Sequence, residues 1–394
     1  MMKRICLFLA AVCFAAFIHA ENWMSRLPDD AYVAVLSIPG THDAATGSGW
    51  SAGMEDMGDS WGLTQELTIA QQWEVGIRAF DLRPCLYEDY MNLNHGMIPT
   101  KIRFENTVRQ LCDSLKANPS EFIIIHLRHE NDGDQTSGDY NQRILQFFAS
   151  EDLAPFLIDF KKNLKVSDIR GKMLFLSRDE YATKPFTGGF LANWKHSSNW
   201  NDCFSGKING RTTSSNAIFQ DFYETYKDGA LDLKEDIVQR VLKWTMEHKT
   251  NNSTGIRWVL SFASGYSKVQ SLFGITISLS DGNRDNASHT HAAILNILKE
   301  HDPGPTGIIF MDFAGVDRSG NYEVRGRELV QAIIDMNFEY LTIDDRVPQL
   351  QVAASHRSVS AFYSLAGTRL TLPRHGDVVL VRHSDGHIVK ILFK

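Results

Sequence analysis

Seven short stretches of this chain carry side chains that can move protons or hold an oxyanion. SIPGTHD brings out His42 and Asp43 behind a Pro-Gly pair. AFDLR carries Asp81 and Arg83, and NLNHG carries His95. IIIHLRHE ends in Arg128, His129 and Glu130, LFLSR ends in Arg178, FQDFY holds Asp221 and Tyr223, and IIFMDF holds Asp312. Arginine's planar fork suits a phosphate group. Two histidines suit proton removal at one oxygen and delivery at another. Taken singly, each charged residue reads as a structural ion pair. Their shared position at strand exits favours one site. None of these seven stretches holds an H-x-x-x-H or H-E-x-x-H pair or a cysteine cluster that would suggest zinc. A divalent-ion site needs converging oxygens without a cation among them. Arg83, two residues from Asp81, instead reads as the fixed positive charge of a metal-free phosphodiesterase, so neither a metal nor another cofactor is expected.

These residues need elements that bring them together. Apolar, β-branched runs predict strands over 31–38, 77–83, 121–130, 172–178, 216–223, 256–264, 307–314 and 338–345. Helical spacing falls between them, over 64–76, 105–119, 139–150, 231–249, 291–300 and 326–336. Alternating strands and helices imply a parallel sheet, and eight strands imply a closed, TIM-type β/α barrel. An open doubly wound sheet is the competing architecture, weakened by the absence of G-x-G-x-x-G after the first strand. Barrel chemistry sits at the carboxyl ends of the strands, where the seven stretches place their polar residues. Alternate strand residues share a face, so Asp81 and Arg83 can point together, as can Asp221 and Tyr223.

The chain has 394 residues, 43% hydrophobic and 22% charged, with a net charge of −7. That composition fits a globular domain and shows no basic block for nucleic acid. Residues 1–20, MMKRICLFLAAVCFAAFIHA, read as a signal peptide, with Lys3 and Arg4 before a short apolar run and Ala20 at the cleavage site. Export to the periplasm, cell surface or medium is expected. Its removal leaves Cys85, Cys112 and Cys203, too few for a disulfide framework. The barrel is assigned to 21–348. Residues 349–394 alternate apolar and polar residues between Gly and Pro turns, which predicts a small antiparallel β module.

In the order SIPGTHDAA, GIRAFDLRP, NLNHG, IIIHLRHE, LFLSR, FQDFY and IIFMDF, the chain closely resembles bacterial phosphatidylinositol-specific phospholipase C over roughly residues 30–345. The resemblance implies a distorted β/α barrel that cleaves phosphatidylinositol to diacylglycerol and inositol 1,2-cyclic phosphate, with glycosylphosphatidylinositol anchors as possible further substrates. It implies His42 as general base, oriented by Asp312, and His95 as general acid assisted by Asp43. Arg83 would hold the phosphate, oriented by Asp81. Arg128, Arg178 and Asp221 would bind inositol hydroxyls, and Tyr223 would stack on the ring. At Arg128 related enzymes can carry lysine. Calcium-dependent relatives carry a metal-binding carboxylate where Arg83 stands, which favours the metal-independent branch. Trp50, Trp61, Tyr266 and Phe273, in loops after strand exits, are candidate membrane-interface residues. Transient adsorption and a monomer are expected. The competing readings are a metal-dependent phosphodiesterase acting on another phospholipid or a glycerophosphodiester, a non-catalytic barrel binding inositol phosphates or glycans, and an adhesive surface protein.

Overall fold

The computed structural model describes residues 22–183, 186–248, 256–346, 359–364, 368–370, 378–383 and 388–392. The expected signal peptide lies outside the described residues. The chain divides into two units, Met1–Phe338 and Glu339–Lys394.

The strands of the first unit are β1 (Ser37–Thr41), β2 (Ala79–Leu82), β3 (Pro84–Leu86), β4 (Met91–His95), β5 (Ile98–Arg103), β6 (Ile123–Leu127), β7 (Met173–Ser177), β8 (Gly189–Ala192), β9 (Lys207–Asn209), β10 (Ser214–Gln220), β11 (Trp258–Phe262), β12 (Val269–Leu272), β13 (Ile275–Ser278) and β14 (Gly307–Met311). Nine of them close a barrel in the order β1-β14-β11-β10-β9-β8-β7-β6-β2, with β2 returning to β1. β9 runs antiparallel to both neighbours, and the other barrel pairings are parallel. The fold is therefore the expected α/β TIM-type barrel, with a mixed sheet of nine strands.

Apolar burial holds it closed. Ile123, Ile124, Ile125 and Leu127 of β6 are all fully buried, each contributing about 1.5–3 kcal/mol. The helix Phe104–Ala117 buries Phe104, Val108, Leu111 and Leu115 at helical spacing. Gly40 lets β1 approach β2 closely: a Cβ there would lie 2.9 Å from the Ala79 Cβ. A buried ion pair, Arg78 Nε to Glu121 at 2.9 Å, ties the amino ends of β2 and β6. Ion pairing is thus not confined to the mouth of the barrel.

Two strand expectations are corrected. Residues 338–345 belong to the helix Gly326–Arg346. The buried spacing Leu329, Val330, Ile333, Ile334, Asn337 and Leu341 continues into that region with no Gly or Pro to stop it. Asn337 also clamps β1, accepting from Ser37 N at 2.9 Å and donating to Ser37 O at 2.7 Å. Residues 33–35 form a single 3₁₀ turn, so β1 begins at Ser37 and continues through Pro39 and Gly40. The short strands β8 and β9 lie where the sequence reads as polar loop.

In the second unit, Val359–Tyr363, Arg369–Leu370, Val378–His383 and Ile388–Leu392 form a four-stranded antiparallel sheet. Among the described residues, no helix is long and apolar enough to cross a membrane.

Candidate active site

His42 leaves the carboxyl end of β1 with its amide donating to Met311 O of β14 at 3.0 Å. The next residue, Asp43, has φ of 43°, a left-handed conformation that aspartate tolerates better than most residues. Gln65 Nε2 donates to His42 O and to Met311 O, both at 2.8 Å, which fixes this turn. His42 Nδ1 lies 2.7 Å from Asp312 Oδ1. An ionised carboxylate only accepts, so Nδ1 carries the proton and Nε2 keeps its lone pair. Burial lowers the pKa of His42, but the Asp312 and Asp43 carboxylates outweigh burial and raise it above the ordinary imidazole value.

Arg83 follows β2. Its Nε and Nη2 donate to Asp81 Oδ2 at 3.1 and 2.9 Å, and its Nε lies 2.9 Å from Asp43 Oδ1. Despite burial, these carboxylates hold the guanidinium firmly charged. Burial would raise Asp81, yet Arg83 and His126 keep it well below the usual carboxylate range. Burial dominates at Asp43 and raises it, with Arg83 opposing. After Arg83, the hairpin β3-β4 returns His95 to the mouth. His95 Nδ1 donates to Gly62 O at 2.7 Å, a carbonyl that can only accept. The two imidazoles thus turn their Nε2 atoms toward one carboxylate. Asp43 Oδ2 lies 3.4 Å from His42 Nε2 and 3.6 Å from His95 Nε2.

A second wall comes from β6, β7 and β10. Arg178 Nη1 lies 3.5 Å from Asp221 Oδ2. Arg128 stands on the rim, with Glu130 3.8 Å away. Burial raises Asp221, but His196 and Arg178 outweigh it and hold its pKa far down. Tyr223 meets the His196 ring edge-on at 4.9 Å. One cleft is lined by His42, Arg83 and His95 together with Arg178, Asp221 and Tyr223.

Several neighbours escaped the sequence reading. Trp194 Nε1 donates to Asp221 Oδ2 at 2.8 Å, and His196 Nδ1 lies 3.0 Å from the same oxygen. Their signal, a Trp-x-His in the NWKHS segment, sits in a polar stretch without periodicity. His126 Nδ1 lies 2.6 Å from Asp81 Oδ1; a histidine inside IIIHL could have flagged it.

Of the four candidate interface aromatics, Trp50 is corrected. It is 2% exposed and its Nε1 donates to Asp59. Its indole packs under Gly58 and Gly62, where a Cβ would come within 2.1 and 2.7 Å of the ring. Trp50 therefore supports the turn whose carbonyl holds His95. Trp61 is half-buried, and Tyr266 lines the cleft and stacks on Tyr226. Phe273, 96% exposed, tips the β12-β13 hairpin beside exposed Ile275.

His42, Asp43 and Asp81 offer ligand atoms within 4.8 Å of one another, a spacing that suits a metal ion. The donors are engaged, however: Asp312 takes His42, and Arg83 lies on both carboxylates. A divalent ion there would sit against the guanidinium.

The chain matches no protein-family model. It is 32% identical over 173 residues to the 1-phosphatidylinositol phosphodiesterase of Listeria monocytogenes, covering 43% of this chain and about half (51%) of that relative. It is 25% identical over 325 residues to the 1-phosphatidylinositol phosphodiesterase of Staphylococcus aureus, covering 80% of this chain and 94% of that one. Among solved structures, the phosphatidylinositol-specific phospholipase C of Staphylococcus aureus superposes with a TM-score of 0.63 at 21% identity, over 81% of this chain and 97% of its own. That likeness speaks for the fold. By sequence the chain is similar to these bacterial phosphodiesterases, and it shares the barrel fold of the solved phosphatidylinositol-specific phospholipase C.

Proposed function

We propose that this protein cleaves the phosphodiester of phosphatidylinositol, giving diacylglycerol and inositol 1,2-cyclic phosphate. The observation that carries the reading is the pairing of His42 and His95 across Asp43, with the Arg83 fork beside them. His42 Nε2 takes the proton of the inositol 2-hydroxyl, and Asp312 stabilises the imidazolium that forms. The 2-oxygen attacks the adjacent phosphorus. This intramolecular attack exploits proximity and gives a cyclic product. Arg83 balances charge on the non-bridging oxygens. His95, protonated at Nε2 with Asp43 close by, delivers a proton to the departing diacylglycerol oxygen. Each proton-transfer role contributes roughly 10²–10⁴-fold in rate. Arg128, Arg178 and Asp221 hold the inositol hydroxyls while Tyr223 covers the ring.

In this reading Arg83 supplies the positive charge, so the reaction runs without a metal. The signal-like residues 1–20 support export, and Phe273 with Ile275 supports transient contact with a lipid surface. A monomer is sufficient, because every proposed group comes from one chain.

Phosphorus NMR of phosphatidylinositol incubated with the protein in chelator tests the proposal. A cyclic phosphate resonance is expected with the unmodified protein and none with His42→Ala. A linear monophosphate as first product, or a requirement for calcium, rejects it.

A further inference from the structure

His126 sits in the middle of β6 and takes no step in the proposed reaction. Its ring is 1% exposed. The rings of Trp194, Phe262 and Phe310 wall it in at centroid distances of 5.2, 5.3 and 5.8 Å. Nδ1 lies 2.6 Å from Asp81 Oδ1, while Nε2 is buried without a hydrogen-bond partner. The carboxylate can only accept, so Nδ1 holds the proton, and burial disfavours a second one. Asp81 is gripped from its other side as well: Oδ2 accepts from Arg83 Nε and Nη2 and from the Asp43 amide at 3.2 Å.

We infer that His126 is a positioning residue for the phosphate-binding arginine: by occupying Asp81 Oδ1 it fixes the carboxylate plane and directs the second oxygen to Arg83. The chain His126–Asp81–Arg83 then sets the angle at which the remaining edge of the guanidinium, whose Nη1 lies 4.0 Å from Glu130 Oε1, meets the phosphoryl oxygens. Without the imidazole donor, a buried carboxylate oxygen would lack its partner. The carboxylate could then turn to take Arg83 with both oxygens, rotating the fork away from the phosphate. Hydrogen-bonded partners behind a charged ligand tune it in this way at metal sites, and an arginine's directional donors make it equally sensitive.

The inference rests on the proposed phosphodiester cleavage, and the test separates the two. His126→Asn keeps an amide donor near the Nδ1 position. His126→Leu removes the donor at similar apolar volume, and His126→Gln places its donor near Nε2, out of reach of Asp81. Each variant is assayed on a soluble phosphatidylinositol analogue and on the two diastereomers in which sulfur replaces one non-bridging oxygen. The rate ratio between diastereomers reports which oxygen faces the arginine fork, a readout that loss of stability alone does not move. The expected result is that His126→Leu and His126→Gln shrink this ratio about 10-fold or more, while His126→Asn stays within ~3-fold of the unmodified protein. Melting temperatures of all three are measured alongside. An unchanged ratio in folded His126→Leu or His126→Gln, whatever their stability or overall rate, overturns the inference. No cleavage by the unmodified protein sinks the proposed activity itself, and the inference with it.

Discussion

Asp43 faces two imidazoles and a guanidinium with a single carboxylate, and the behaviour of the site turns on how its charge is divided. Its Oδ1 is committed to Arg83, which leaves Oδ2 to the histidines. Asp312 has the simpler task of raising the basicity of His42. A general base acts unprotonated, so a raised pKa moves the acid limb of the kcat/KM profile to higher pH. Asp312→Asn removes one of the two carboxylates that raise it. The acid limb should then shift to lower pH, with kcat falling by roughly 10²–10⁴-fold; a pH–rate profile on soluble substrate checks both. At this scale much was legible in sequence. His42, Asp43, Asp81, Arg83 and Asp312 lie at the exits of apolar strands, where a charged residue needs a partner. Trp194 and His196 were not, because an orienting contact leaves no spacing signature when its two members come from distant segments of the chain, and His126 showed only as a polar residue inside an apolar strand.

The elements differ in how much they disclose. Seven barrel strands are apolar runs bounded by turn residues and can be read directly. β8 and β9 are four and three residues long, too short for any periodicity to emerge. The helix Gly326–Arg346 shows the converse, since β-branched and aromatic residues near its end suggest a strand while the buried helical stripe prevails. Trp50 shows how an aromatic in a Gly-rich loop can serve the fold. Because it props the Gly58–Gly62 turn, Trp50→Ala should cost about 3–5 kcal/mol of stability. It should also loosen the Gly62 carbonyl that holds His95, lowering kcat. Thermal melts and kinetics on soluble substrate test this. Binding to phosphatidylinositol vesicles should be unchanged, and a marked loss of binding would restore Trp50 to the interface.

For the whole first unit, the proposed catalysis and recognition divide the mouth. The proposed proton-transfer groups come from β1, the hairpin after β2, and β14. The proposed polyol wall comes from β6, β7 and β10. The β12-β13 hairpin adjoins both, since Ser278 lines the cleft while Phe273 reaches into solvent. Phe273→Ser should raise apparent KM on vesicles by about ten-fold, from the loss of one buried aromatic. Turnover of a soluble analogue should stay the same, and an equal effect on both substrates would count against membrane contact. One last consequence comes from the reversed direction of β9. A strand that enters the barrel from the mouth delivers no side chain there at its carboxyl end, so that arc of the rim is furnished by the segment leaving β8, with Trp194 and His196. Such a segment can be lengthened, shortened or exchanged without touching the proton-transfer groups across the cleft. In the proposed reaction, the choice of headgroup can therefore change with this segment while the bond-breaking chemistry stays as it is.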